Sequence, residues 1–402
     1  RQRQMCIRDS LYICICLMVK IKTMRLKEIF IAFLVLTGCS EPNQKSNQDF
    51  RVIDVPLKGD DHQIMMSSFV NSISYIPLET KDECLIGSVD KILVTDDAYY
   101  VVDREKTQSV LRFDKSGRFV RKYGNRGMGT NEYVSITDVN VCEDKIYIWD
   151  CSLKKIFIFS SDGCFVREIK TNYSADSFFV LDDSWIAFCG DYKPNKEYTQ
   201  KELCPNVLFI NIDNSQTVSD LFFNKNIDNS GIIVNPFNFL CDGYLILALD
   251  NVIYQTSSPS NLEKKYIMQF DEKYIKAQEA YKEKIAVESV AIDQIHTLMK
   301  DVPLLLRFLD TPSFSFVGYT LNSNFYWGII DHKQADSYIE ASAYAKNPIV
   351  NDIDELAFFM PLMAHNNALY SLVPSDKISS DEVLGRHVEP DDNPIIVKME
   401  LK

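Results

Sequence analysis

Histidine is scarce in this 402-residue chain: His62, His296, His332, His365 and His387 are all there are, and no two stand at HxxxH or HxH spacing. A metal site built on closely spaced histidines is therefore excluded. The chain also lacks a Gly-Lys-Ser/Thr triplet and a GxSxG elbow, so neither a phosphate loop nor a hydrolase nucleophile turn is written in it. Positive charge is short as well, with 43 Lys and Arg against 56 Asp and Glu. Such a surface repels phosphate backbones, which argues against nucleic acid as a partner. The apolar run Ile29–Leu36 spans eight residues, too few to cross a bilayer as a helix.

Cysteine is present but unpaired in pattern. Beyond Cys39 there are seven, at 84, 142, 151, 164, 189, 204 and 241, and none forms a CxxC pair. The odd number and the spacing exclude a zinc ribbon and a full disulfide framework. Most sit in apolar runs and read as small buried hydrophobes. Cys142 and Cys151 could bridge if their positions face each other.

The N-terminus carries an address. Met24-Arg-Leu-Lys27 is a basic head, Ile29–Leu36 is its apolar stretch, and Leu36-Thr37-Gly38-Cys39 closes it in small residues and a thiol. This is the layout of a signal peptide over 24–38, with an ending that resembles the bacterial lipobox, in which the cysteine is acylated. Cys39 is thus the expected lipidation site, residues 39–50 a tether, and the membrane a partner through lipid alone. Residues 1–23 stand upstream of that start and read as flanking sequence. The remaining 364 residues from Cys39 carry 36 basic and 54 acidic side chains.

From about residue 85 short apolar runs alternate with turn residues, as antiparallel strands do. Two windows nearly superimpose: Tyr100–Asp103 with Val110–Val120, and Tyr147–Asp150 with Ile156–Val166. Phe113 returns as Phe159 and Gly117 as Gly163 after 46 residues, and Asp103 as Asp150 after 47. A period of that length with four strands per copy is a propeller signature. Asp114–Gly117 and Ser160–Gly163 read as hairpin turns. Asp103 and Asp150 close strands, where a carboxylate can accept backbone amides. Further strand runs stand at 185–188, 207–210, 244–247, 314–317, 325–330 and 368–372.

Between 271 and about 310 the pattern changes. Tyr274, Ala277, Tyr281, Ile285, Ile292, Ile295 and Met299 approximate helical spacing, with Pro303 and Pro312 behind them. The chain is therefore expected to be all-β, a six-bladed β-propeller over 51–402 with a helical insertion between blades 4 and 5. The run Asn393–Met399 is expected to close the ring, against residues near Val52 to Val55.

"SISYIPLET" (72–80), "LIGSVDKI" (85–92), "FDKSGRFV" (113–120), "GMGTNEY" (127–133) and "DDNPIIVKMELK" (391–402) resemble the six-bladed β-propeller lipoproteins of Bacteroidetes, which are related in architecture to NHL-repeat propellers. The resemblance implies an exported protein at the outer membrane, accessory to nutrient capture. The family segment usually reads glycine, any residue, glycine, proline, glycine, glutamate, tyrosine; here Thr130 and Asn131 replace the proline and the second loop glycine, while Glu132 and Tyr133 stay.

That segment sits in "GNRGMGTNEY" (124–133), whose three-glycine spacing raises the question of a phosphate. The residues that follow, Val134 to Val141, are β-branched and alternating, so a strand comes next and not a helix N-terminus. The glycines read as the turn between blades. Arg126, Glu132 and Tyr133 remain as candidate ligand contacts. Trp327, in the cluster Phe325-Tyr-Trp327, offers an apolar face for sugar rings or peptide side chains. His332, next to Asp331, is a candidate at the central channel. No catalytic residue, metal or cofactor is expected. The function that follows is a non-enzymatic binding module for a glycan, a peptide or an envelope protein. The alternative is a propeller hydrolase or lyase with acids and a metal in its channel.

Overall fold

The computed structural model describes residues 50–402 apart from 58–62, 228–242, 260, 288–289, 291, 335–336, 343–348, 379–383 and 386. Six four-stranded sheets account for nearly all of it, antiparallel throughout except for one outer strand of blade 4, with two strands borrowed from the N-terminal segment. Blade 1 runs through Lys91–Val94, Ala98–Asp103, Ser109–Asp114 and Phe119–Tyr123; blade 2 through Asp138–Cys142, Lys145–Asp150, Lys155–Ser160 and Phe165–Lys170. Blade 3 follows with Ser177–Val180, Trp185–Cys189, Leu203–Asn211 and Thr217–Asn224. Blade 4 has Tyr244–Ile246, Val252–Ser258 and Asn261–Gln269, blade 5 Leu304–Asp310, Phe314–Leu321, Asn324–Asp331 and Ser337–Ser342, and blade 6 Met363–His365, Ala368–Val373 and Ile395–Leu401.

First strands of neighbouring blades touch one another, so they form the inner ring around the axis. The fourth strands are outermost, as the half-exposed Phe119–Tyr123 and Phe165–Lys170 show. Both faces of each inner blade must then be apolar, and the second strands Ala98–Asp103 and Lys145–Asp150 are buried almost throughout. Six apolar clusters result, one at each blade junction. Burial at these junctions is the main stabilising term, since each sheet alone would leave two apolar faces wet.

The two missing fourth strands come from the N-terminal segment, and here the register expected from the sequence is corrected. Ile395–Leu401 pairs with Val70–Pro77, with Val397 opposite Tyr75, which makes Val70–Pro77 the outer strand of blade 6. Arg51–Asp54 instead lies parallel to Tyr266–Gln269 and finishes blade 4. The short strand Ile64–Met65, which lies between these two in sequence, pairs in parallel with Ile349–Val350. The reason is the direction of the chain after Gln269. It leaves blade 4 into helix α1 (Glu272–Val287) and helix α2 (Ile292–Leu298), so the outer edge of that blade is open to another strand.

The helices stand between blades 4 and 5 in this numbering, or between the fifth and sixth when the count starts from the blade that Val70–Pro77 enters. Tyr281, Ile285 and Met299 pack into the junction of blades 3 and 4, and Tyr274 into the next one. The insertion ends at Pro303 and not near residue 310, because Leu304–Asp310 is already the inner strand of blade 5. The six cysteines among the described residues are free. Cys142 stands at the turn of its hairpin, opposite Lys145, whereas Cys151 follows the far end, so the two cannot meet.

Candidate functional site

The connection from blade 1 to blade 2 is built around its glycines and its acid. Gly124 takes φ +61°, and a Cβ there would lie 2.9 Å from both Phe159 and Tyr133. At Gly127 a Cβ would come within 1.9 Å of Glu132 Oε2, closer than any atoms pack. Glu132 fills that space and accepts the Gly129 N–H at 2.7 Å. The ends of the loop are pinned by Gly127 N to Tyr133 O, 3.0 Å, and Tyr133 N to Asn125 O, 3.2 Å. Arg126 Nε donates to Val134 O at 3.2 Å. Tyr133 is fully buried, donates its hydroxyl to Gln108 O at 2.9 Å, and meets the Phe157 ring edge-on. Burial pushes its phenol far above the ordinary range, so it is neutral at any physiological pH. Arg126, Glu132 and Tyr133 thus come together, but as the frame of the loop.

What the frame encloses is a cavity of about 400 Å³, lined by residues 127–132 and Val134 on one side and by Leu153, Lys155, Phe157, Phe165 and Glu168 of blade 2 on the other. Alternation places Lys155 and Phe157 on one face of their strand, and Glu168 stands directly opposite Phe157 on the next. Lys155 and Glu168 form an ion pair at 2.9 Å, both partly exposed. Met128 hangs over the mouth with 87% of its surface exposed, the most exposed large apolar side chain among the described residues. The site therefore has apolar walls, one paired charge of each sign and an unspent thioether at the rim. Spacing within the loop could not point to Lys155, Phe165 or Glu168, which lie 22 residues or more beyond Tyr133. The alternation of Lys155 with Phe157 was the one signal for them.

Trp327 and His332 lie elsewhere, on blade 5. Trp327 is 2% exposed and stacks on Phe316 and Phe325 in the junction with blade 6. It is a core residue, which corrects its place among ligand contacts: the aromatic cluster is consumed between sheets. His332 does not pair with Asp331, whose carboxylate caps the next turn through Lys333 N and Gln334 Nε2, each at 2.9 Å. Its partner is Ser315, with Nε2 to Oγ at 2.8 Å, and its Nδ1 lies 3.3 Å from Pro312 O. Ser315, Tyr244 and Lys265 converge in turn on Asp310, the latter two at 2.6 and 2.8 Å. Ser315 is completely buried, so this is a network closed on itself and not an exposed nucleophile with its base.

Among the described residues no group of three or more His, Cys, Asp or Glu is placed to hold a metal ion. None of their helices is long and apolar enough to cross a membrane. A family model, described as a domain of unknown function, DUF4934, matches residues 50–400.

The chain belongs to the DUF4934 family.

The DUF4934 chain is also similar to solved structures. One, a putative exported protein from Bacteroides fragilis, is 17% identical, with 88% of this chain and 99% of that one aligned at a TM-score of 0.62. A member of the DUF4221 family from Bacteroides vulgatus is 10% identical over 83% of this chain and 97% of its own, at 0.48. Virginiamycin B lyase from Staphylococcus aureus is 9% identical over 82% and 99%, at 0.40. The first of these supports the six-bladed fold. No curated protein matches the chain.

Proposed function

We propose that this DUF4934 propeller is a non-enzymatic binding module, exported and held at the cell envelope by a lipid on Cys39, and that it takes a peptide segment in the cavity between blades 1 and 2. The observation that carries the reading is the cavity itself. Its volume of about 400 Å³ suits a short ligand segment. Glu132 accepts a glycine amide and Lys155 pairs with Glu168, so these charged groups of the lining serve the loop and the blade, which supports a binding role over a catalytic one. Met128, Leu153, Phe157 and Phe165 offer an apolar seat for one side chain, and thioether and phenyl contacts tolerate varied shapes. The Lys155–Glu168 pair gives the peptide backbone both a donor and an acceptor.

A pool of short fluorophore-labelled peptides passed over the protein, followed by titration of those retained, tests this. Met128→Ala should weaken a retained peptide about tenfold, the loss expected for one apolar side chain, while leaving thermal stability unchanged because Met128 packs on nothing. Retention of glycans in place of peptides, cleavage of the pool, or equal binding by M128A would each reject the proposal.

A further inference from the structure

Blade 1 gathers basic charge in a chain that is acidic overall. Residues 104–126 hold eight Lys and Arg against two acids. Two of these cations meet across the sheet. Arg112 and Arg121 are direct partners in the register of Ser109–Asp114 with Phe119–Tyr123, and like charges opposite each other destabilise a strand pair. Both point at the hairpin turn at 160–164 of blade 2: Arg112 Nη1 donates to Ser161 O at 3.2 Å, and a Cβ on Gly163 would come within 2.9 Å of Arg121 Nη1. The Nε of each is buried and has no hydrogen-bond partner among the described residues. Asp97 pairs with Arg112, whose side chain is 17% exposed, and is itself 64% exposed, so the outer end of the cluster reaches solvent. Asp162, on the turn, accepts the Ser160 hydroxyl and the Cys164 amide, and no ion pair with Arg121 is found among the described residues. The fold does not demand this arrangement. In the second copy of the repeat, 46 residues later, Ile158 takes the position of Arg112, opposite Arg167, and is 2% exposed. An aliphatic side chain fills that place without leaving a donor unmatched, so the second cation costs stability unless an anion answers it.

We propose that Arg112 and Arg121 form a second binding site, beside the hairpin turn where blade 1 meets blade 2, for a phosphate group. Two guanidinium groups on partner positions match the charge of a phosphate dianion, and each presents N–H donors in the planar fork that phosphate oxygens accept. A phosphate free in solution and one carried on a lipid headgroup share this chemistry. The cavity beside Met128 is lined by other residues, so this site does not depend on the peptide reading.

Calorimetric titration of the full chain with inorganic phosphate, in chloride buffer at constant ionic strength, provides the test. The wild type should saturate at millimolar phosphate or below, and its melting temperature should then rise by about 3 °C or more. Arg121→Gln should bind about tenfold more weakly or worse, the loss expected for one charge-assisted hydrogen bond. Arg112→Ile, the choice made in the second copy of the repeat, should lose binding to the same degree while melting no lower than wild type in chloride. To separate the two sources, protein carrying Cys39→Ala, which has no acyl chain on that residue, is sedimented with vesicles of phosphatidylcholine alone or mixed equally with phosphatidylglycerol. A preference for the mixed vesicles that R121Q abolishes assigns the site to a lipid headgroup, and equal sedimentation with phosphate binding intact assigns it to free phosphate. A wild type that phosphate does not saturate overturns the proposal, and so does a folded R121Q or R112I that binds phosphate as tightly as the wild type. Should one of the two variants not fold, the other decides by the same criterion.

Discussion

Asp103 and Asp150 show how much a single carboxylate can organise. Asp103 accepts the amides of Gly87, Ser88, Lys106 and Thr107 at 2.7 to 3.0 Å and the Ser88 hydroxyl at 2.8 Å, tying the entry of blade 1 to its central corner. Asp150 repeats this with Val134, Ser135 and Leu153. Both were legible in the sequence because they recur, one repeat apart, at the end of the same strand. Burial alone would raise the Asp103 carboxyl, but the amides of Lys106, Ser88 and Thr107 with the Ser88 hydroxyl prevail and hold it at about 2. A depressed folded-state value stabilises the fold wherever the unfolded carboxyl, near 3.9, would already be ionised. That contribution is complete above about pH 4 and is lost as the pH falls toward about 2. Asp103→Asn should therefore cost about 2 kcal/mol at neutral pH, by leaving amides unmatched, and should flatten the acid side of the stability curve between those limits. Urea unfolding at several pH values measures both. An unchanged acid limb would show that the carboxylate is not what ties the corner.

Gly127 belongs to the same scale. An alanine there would force Glu132 out of the loop, so Gly127→Ala should abolish ligand binding in the cavity while lowering the melting temperature by no more than about 2 °C, the loop being exposed. Calorimetric titration with a retained peptide and a melting curve separate the two effects. The glycine spacing was visible from the start, but its cause was not: a side chain five residues on, and not a phosphate, occupies the space.

Among the elements, the N-terminal segment does the most. It supplies the outer strand of blade 4 at Arg51–Asp54 and that of blade 6 at Val70–Pro77. The hairpins of blades 1 and 2 were readable because their turns are local: Gly117 and Gly163 stand at φ +83° and +85°, where glycine is favoured. The latch was not readable, because Val52 to Val55 and Ser72 to Pro77 are both plausible strands and only the sheet edges left open decide which goes where. Removal of residues through Leu57 should destabilise the protein by about 2 to 4 kcal/mol through loss of the buried Ile53 and Val55 and exposure of a strand edge. Removal through Pro77 should prevent folding, since blade 6 would lose its fourth strand and the ring its closure. Circular dichroism melts of both truncations distinguish the two roles, and equal behaviour would contradict this division.

For the whole molecule, the expectation of an envelope address rests on Met24 to Cys39, which lie outside the described residues. Cys39→Ala should move the protein from the membrane fraction to the soluble fraction and abolish incorporation of labelled fatty acid. Retention in the membrane fraction without acyl label would disprove the anchor.

The sequence by itself determined the repeat, the all-β ring of six blades, the helical excursion and the strand-end aspartates, because each is written in spacing over fewer than about 50 residues, where periodicity and turn chemistry act. It pointed to the blade-connecting loop as well. Tertiary structure alone decided what that loop encloses, that Trp327 is buried between sheets, and that His332 answers to Ser315 and not to Asp331. These depend on which side chains from distant blades converge and which water is excluded, and the closing of the ring sets both.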